Sequence, residues 1–139
     1  MTYDYWAEER RRRQETLGRI IGHTVTAVYG LARGSGELRI ETSAGTLVLH
    51  HEQDCCETVD IDDFEGDTDD LIGRTVVYAE EVVNGHEEGH TGAAQPDYDS
   101  TTWTFYKFRT TGGDLWIRWL GTSNGYYSEH VEVKWREKP

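Results

Sequence analysis

The sequence predicts a mainly β fold of the α+β class: about eight mostly antiparallel strands in a sandwich or open barrel, with one N-terminal helix, arising from an internal duplication. Three observations carry this. Apolar and polar residues alternate with a period of two through much of the chain, interrupted by glycine-bearing turns. One segment near the N-terminus carries helix signals instead. Three blocks also recur, in the same order, in the two halves of the chain.

The helix is expected from about Asp4 to Thr16. Asp4 or Thr2 can cap it, Glu8 and Glu9 suit its positive end, and Arg10 to Arg13 suit its later turns. Tyr5, Trp6 and Leu17 are its expected buried side, packed on the outside of the domain or against a second copy. After Gly18 the pattern changes. Val25, Ala27 and Tyr29 alternate with Thr24, Thr26 and Val28. Glu37 to Thr42 and Thr46 to His51 form a hairpin around Ser43-Ala44-Gly45, with Leu47 and Leu49 on one face. Val59 and Ile61 mark a short strand, and Arg74 to Val83 another, ended by Asn84-Gly85. Residues 84–100 carry glycines, Pro96 and acids, and read as one long loop. Thr101 to Thr110 and Leu115 to Leu120 form a second hairpin around Thr111-Gly112-Gly113, and Val131, Val133 and Trp135 alternate in a last strand.

The repeat aligns Ile20-Ile21-Gly22-His23-Thr24-Val25 with Leu71-Ile72-Gly73-Arg74-Thr75-Val76. Arg39 to Leu49 lies over Lys107 to Ile117. Cys55-Cys56-Glu57-Thr58-Val59-Asp60-Ile61 faces Tyr126 to Val133, with one residue inserted. The expected organisation is one domain over residues 1–139, with half-repeats at about 20–62 and 71–135.

The 139 residues can bury a substantial core, and five Trp, eight Tyr and three Phe supply large packing groups. No apolar run approaches the roughly 20 residues of a membrane span. The charged, Trp-bearing N-terminus is not a signal peptide, so a cytoplasmic location is expected. A formal net charge of −12 argues against direct binding to nucleic acid or to an anionic membrane. Acid concentrates from Glu52 to Asp70. This is either a solvated edge or a surface that imitates nucleic acid before a basic protein.

Cys55 and Cys56 are adjacent and in the cytoplasm are expected as thiols. Zinc held with His50 or His51 lacks a second ligand pair of suitable spacing, and a Cys nucleophile lacks any sign of an oxyanion hole. His86-Glu87-Glu88-Gly89-His90 matches H-E-x-x-H, but the glycines in and around it speak against the helix that zinc proteases need. Asn124-Gly125 is a turn former, and Tyr126 and Tyr127 beside it offer stacking faces. Arg109 and Arg118, among Trp103, Trp116 and Trp119, could hold a phosphate and a base. No metal or cofactor is expected.

The runs His51-x-Gln53-Asp54-Cys55-Cys56-Glu57, Gly66-Asp67-x-x-Asp70-Leu71-Ile72-Gly73, Ala79-Glu80-Glu81, Trp103-Thr104-Phe105-Tyr106-Lys107-Phe108 and Ser123-Asn124-Gly125-Tyr126-Tyr127-Ser128 stand out. Through them the chain resembles a family of uncharacterised domains found in bacteriophage and bacterial genomes, over about residues 20–135. The resemblance implies a small phage-type accessory protein, in the host cytoplasm, and brings no established activity. The N-terminal helix and the segment 84–100 look like additions to the family pattern.

The resulting expectation is a non-enzymatic protein that acts by binding, against a host defence system. A small nucleotide-like signal would be held near the two related turns by His51, Asp54, Cys55, Cys56, Glu57, Asn124, Tyr126 and Tyr127, with Arg109 or Arg118 on phosphate. The alternatives are an acidic inhibitor that fills the groove of a basic host protein, and a Zn- or Cys-dependent hydrolase. A homo-oligomer is compatible with either binding role.

Overall fold

A computed structural model describes residues 4–85 and 100–139. Helix α1 (Tyr5–Leu17) runs into a 3-10 turn (Gly18–Ile20). There follow β1 (Val25–Tyr29), β2 (Glu37–Thr42), β3 (Gly45–His50), β4 (Thr58–Glu65), the one-turn helix α2 (Thr68–Leu71), β5 (Val76–Gly85), β6 (Ser100–Thr110), β7 (Asp114–Ser123) and β8 (Glu132–Glu137). The strands form two four-stranded antiparallel sheets, ordered β1-β2-β3-β8 and β5-β6-β7-β4, and no closed barrel.

That order shows how the duplication is built. Each half gives three strands to one sheet and its fourth strand to the other. The halves meet about a local two-fold at Thr24 and Thr75, which form an antiparallel bridge with their hydroxyls 3.3 Å apart. The hydrogen bonds around them come in matched pairs. Gly22 N–H donates to Val76 O (2.7 Å) and Gly73 N–H to Val25 O (2.8 Å), while Val76 N–H donates to His23 O (3.0 Å) and Val25 N–H to Arg74 O (2.8 Å). Gly22 (φ 91°) and Gly73 (φ 85°) both take the left-handed conformation that a side chain would oppose. Both first strands carry a bulge at the same place, between Val25 and Ala27 and between Val76 and Tyr78.

The two hairpin turns repeat the same device. The Thr42 hydroxyl donates to Gly45 O (2.8 Å) and accepts from Ala44 N (3.2 Å) and Gly45 N (3.1 Å). The Thr110 hydroxyl donates to Gly113 O (2.7 Å) and accepts from Gly112 N and Gly113 N, both at 3.1 Å. A threonine at this position satisfies turn groups that would otherwise lack partners.

Between the sheets lies a core in which Trp119, Tyr106, Phe108, Leu47, Leu49, Leu115 and Ile117 are fully or almost fully buried. One open side of the sandwich is spanned by α1, which contacts β8 of one sheet and β5 of the other. Gln14 acts there as a substitute strand residue. Its side-chain amide donates to Ala79 O (2.9 Å) and accepts from Glu81 N (3.0 Å), blunting the free β5 edge. Arg13 Nε contacts the Glu81 carboxylate at 2.9 and 3.1 Å, and the Tyr106 hydroxyl donates to it at 2.7 Å. At the β4 edge the loop after β1 closes the other side, with Gly34 N–H on Ile61 O (2.7 Å) and Ile61 N–H on Ser35 O (2.8 Å).

Strands β4 and β7 run longer than expected, and β5 keeps its expected length but starts and ends two residues later. Asp62 to Glu65 extend β4 beyond the short strand expected at Val59 and Ile61, with the acids part-exposed or exposed while Val59 and Ile61 are buried. Asn84 and Gly85 continue β5 instead of ending it, paired to Trp103 and Thr102. On α1 the Asp4 cap holds, accepting from Ala7 N at 3.0 Å. Of the expected buried stripe only Leu17 is buried, because the helix presents Arg13, Gln14 and Leu17 to the sheet edges; Tyr5 (54%) and Trp6 (41%) are exposed. Matched turns make a testable equivalence: T42A and T110A should each lower the unfolding free energy by about 1–2 kcal/mol in urea titrations, with losses of similar size.

Candidate functional site

The chain crosses between the sheets twice, in the connections 51–57 and 124–131, and the crossings lie side by side. Each is organised around a buried glutamate at an equivalent position of the repeat. Glu57 and Glu129 are 3% and 4% exposed.

The Glu57 carboxylate collects donors from its own loop. Asp54 N (2.9 Å) and Cys55 N (2.8 Å) point at it, the Gln53 amide reaches it at 3.2 Å, and His51 Nε2 at 2.8 Å. Burial alone would raise its pKa. The His51 hydrogen bond, followed by the backbone N–H groups of Cys55 and Asp54, outweighs burial and holds it at about 2. Glu57 is therefore an anion at neutral pH whose acceptor sites are filled from within.

His51 joins the two crossings. Its Nδ1 lies 2.8 Å from His130 O, while Nε2 faces Glu57. Both neighbours present acceptor oxygens to the ring, so both ring nitrogens are engaged. The imidazole side chain is 5% exposed.

The second crossing uses hydroxyls instead. Glu129 accepts from Thr102 Oγ1 (2.8 Å) and from Ser123 Oγ. Gly121 on β7 lies directly against it: a Cβ there would meet Glu129 O at 2.4 Å and Glu129 Cβ at 2.7 Å. Asn124 Oδ1 accepts from Tyr126 N (2.9 Å), closing a turn that projects Tyr126, 85% exposed, with the Tyr127 ring 5.7 Å away.

Beside the crossings, α1 and β8 wall a cleft of about 430 Å³ that includes Tyr5, Trp6, His51, Glu52, Glu132 and Lys134. A smaller one of about 260 Å³ lies against Tyr126, Tyr127 and Glu129. The two share Trp6, Ser128 and His130 in their walls, and the Trp6 ring stands 5.1 Å from that of His130. His50, Glu52 and Glu132 form a further cluster at the rim.

The structure thus gathers His51, Asp54, Cys55, Cys56 and Glu57 in the first crossing and Asn124, Tyr126 and Tyr127 in the second, with His51 bonded across to His130 O. It does not bring Arg109 or Arg118 there. Both lie on the outer face of the second sheet, because strand alternation sets Arg109 beside the buried Phe108 and Thr110 of β6 and Arg118 between the buried Ile117 and Trp119 of β7. Arg118 Nε pairs with Asp62 (2.8 Å) and its guanidinium sits 5.1 Å from the Trp103 ring centre; Arg109 faces Asp114 at 3.6 Å. Trp119, read beside them, is fully buried in the core. Cys55 and Cys56 are joined in a disulfide, where two thiols are expected, because the loop folding around Glu57 brings both side chains together. Neither offers a free nucleophile. The H-E-x-x-H run at 86–90 lies outside the described residues. Trp6, Glu129, His130 and Lys134 were not legible as site residues; only the repeat alignment of Glu129 with Glu57 hinted at one of them.

A family model described as a domain of unknown function (DUF7448) matches residues 15–133. No curated protein and no solved structure matches the chain. The matched region holds both crossings and starts at Glu15, so Tyr5, Trp6 and most of the helical wall of the cleft lie outside it. Among the described residues no helix is long and apolar enough to cross a membrane.

Two outcomes test this construction. A carboxyl with a depressed folded pKa stabilises fully above its ordinary value near 4.5, and that stability drains away as pH falls through about 2. E57Q should therefore cost about 3 kcal/mol at pH 7 and flatten the acid limb of a stability-against-pH curve, read from urea melts between pH 7 and 2. G121A should destabilise by about 2–3 kcal/mol without altering that acid limb, since backbone, not a flexible tip, blocks the added methyl.

Proposed function

The chain belongs to that family of domains of unknown function, and from this premise we propose that it acts by binding a small nucleotide-like ligand in the paired clefts beside the two crossings. The observation that carries the reading is the set of exposed or half-buried aromatic side chains that line two adjoining clefts, with Trp6 on both. Trp6 and Tyr5 come from α1, and Tyr126 and Tyr127 from the second crossing. Exposed rings on a fixed scaffold suit a planar base, since stacking needs area and little reorganisation. Lys134, which has no ion-pair partner among the described residues, stands on the first cleft to meet phosphate, and Arg12 there pairs with Glu8 and Glu9.

In this reading His51 and Glu57 shape the recess and do not touch the ligand, because their hydrogen-bonding groups are already engaged. Among the described residues both cysteines are tied up in the disulfide, which favours sequestration over thiol-based turnover. We place the activity in a phage-type accessory role: removal of a nucleotide signal that a host cell uses in defence. The competing role, an acidic surface filling a basic protein groove, is weakened by the pairing of Asp62 with Arg118 and Asp63 with Arg33, which neutralises part of the acidic strand.

Calorimetry against a panel of mono-, di- and cyclic oligonucleotides tests the proposal. One class should bind with one-to-one or two-to-one stoichiometry, W6A and Y126A should weaken it at least tenfold while leaving the thermal melt unchanged, and R109A and R118A should bind as the parent does. Equal binding by W6A and Y126A would remove the recess as the site.

A further inference from the structure

We propose that His50, Glu52 and Glu132 form a site for one divalent first-row transition cation, of the zinc type, at the rim of the first sheet. The proposal stands on the strand register and does not depend on the ligand proposed above.

Leu47 and Leu49 of β3 face the core, so His50 follows on the alternate face, and the register sets it directly opposite Glu132 of β8. Glu52 lies in the first crossing, two residues on. Its backbone N–H donates to Glu132 Oε2 at 2.6 Å, which fixes the orientation of that carboxylate. One ring nitrogen of His50 and one carboxylate oxygen from each glutamate then lie within 4.8 Å of one another. Zinc binds imidazole nitrogen and carboxylate oxygen at about 2.0–2.2 Å, which sets donors roughly 3.4 Å apart. Closing the triad needs shifts of about an ångström, well within the reach of the exposed Glu52 side chain.

A second, independent observation concerns the histidine. Among the described residues the His50 ring makes no hydrogen bond, and its Nε2 is buried from solvent without a partner. The neighbouring His51 uses both of its nitrogens. An imidazole with a desolvated, unpartnered nitrogen beside two carboxylates is costly as it stands, and a cation offsets that cost. Neither Glu52 nor Glu132 has an ion-pair partner among the described residues, so their mutual repulsion is also unrelieved. One imidazole with two carboxylates is a borderline donor set that suits Zn²⁺, Co²⁺ or Mn²⁺ better than Ca²⁺, which takes six or more oxygens. Three protein ligands leave a coordination position, and Glu52 and Glu132 both also line the larger cleft.

The test uses untagged full-length protein stripped with a chelator and dialysed. Zn²⁺ is titrated by calorimetry and Co²⁺ by visible absorption, which reports the ligand field directly. One cation per chain is expected, with E52Q, E132Q and H50A each weakening it on the order of 10- to 100-fold or more. A variant lacking His86 and His90 should bind as the parent does. E52Q is the decisive substitution should the others unfold, because that side chain is exposed and makes no hydrogen bond among the described residues. Absence of one-to-one binding at millimolar metal, affinity unchanged in E52Q, or loss of binding only when His86 and His90 are removed would each overturn the assignment.

Discussion

The buried carboxylate of Glu57, clasped by His51 and by the backbone of its own loop, is the constraint on which the rest of the structure turns. An ion taken out of water costs several kcal/mol unless hydrogen bonds replace its hydration, and here the loop wraps itself into the shape that supplies them. Because the chain changes sheets at this point, the shape of the loop sets where β4 can begin. His51 then carries the constraint across to the carbonyl of His130, so the second change of sheet is positioned by the first. The recess between α1 and the crossings inherits its floor from this one clasp.

The two halves keep the same backbone plan and fill it with different chemistry. Hairpin threonines, paired glycines and first-strand bulges are shared, all of them backbone requirements that tolerate few substitutes. The buried glutamates share a position but not their partners: a histidine and amides for Glu57, hydroxyls for Glu129. Divergence has gone furthest in what faces outward, where one turn carries adjacent cysteines and the other adjacent tyrosines. A scaffold held by its backbone leaves such surfaces free to specialise.

Much of the fold was legible because its cues are local. Alternation located the strands, the glycine-bearing turns Ser43-Ala44-Gly45 and Thr111-Gly112-Gly113 marked both hairpins, and the repeated Ile-Gly-x-Thr-Val block located the start of β1 and of β5. The exchange of fourth strands was not legible, since the same alternating residues of β4 could pair with β3 as well as with β7, and only the crossing loop decides. The site divides the same way. His51, Glu57, Tyr126 and Tyr127 stood out as unusual residues in related turns. Whether such a residue faces a ligand or its own loop depends on burial, which is a tertiary property. Trp6 was misplaced because a helix with a thin apolar stripe does not announce which face it presents, and Arg118 because alternation does not announce that its face of β7 lies outside the sandwich, against Asp62.

The exchanged strands have a consequence for biosynthesis. β3 finds its outer neighbour only when β8 has been made, since Glu52 and Glu132 are 80 residues apart, and β4 waits for β7. While the ribosome is still translating the second half, the first exposes two apolar strands with unsatisfied edges. Such a nascent chain is a natural client for chaperones, and its yield in the cell depends on how fast translation reaches the closing strands.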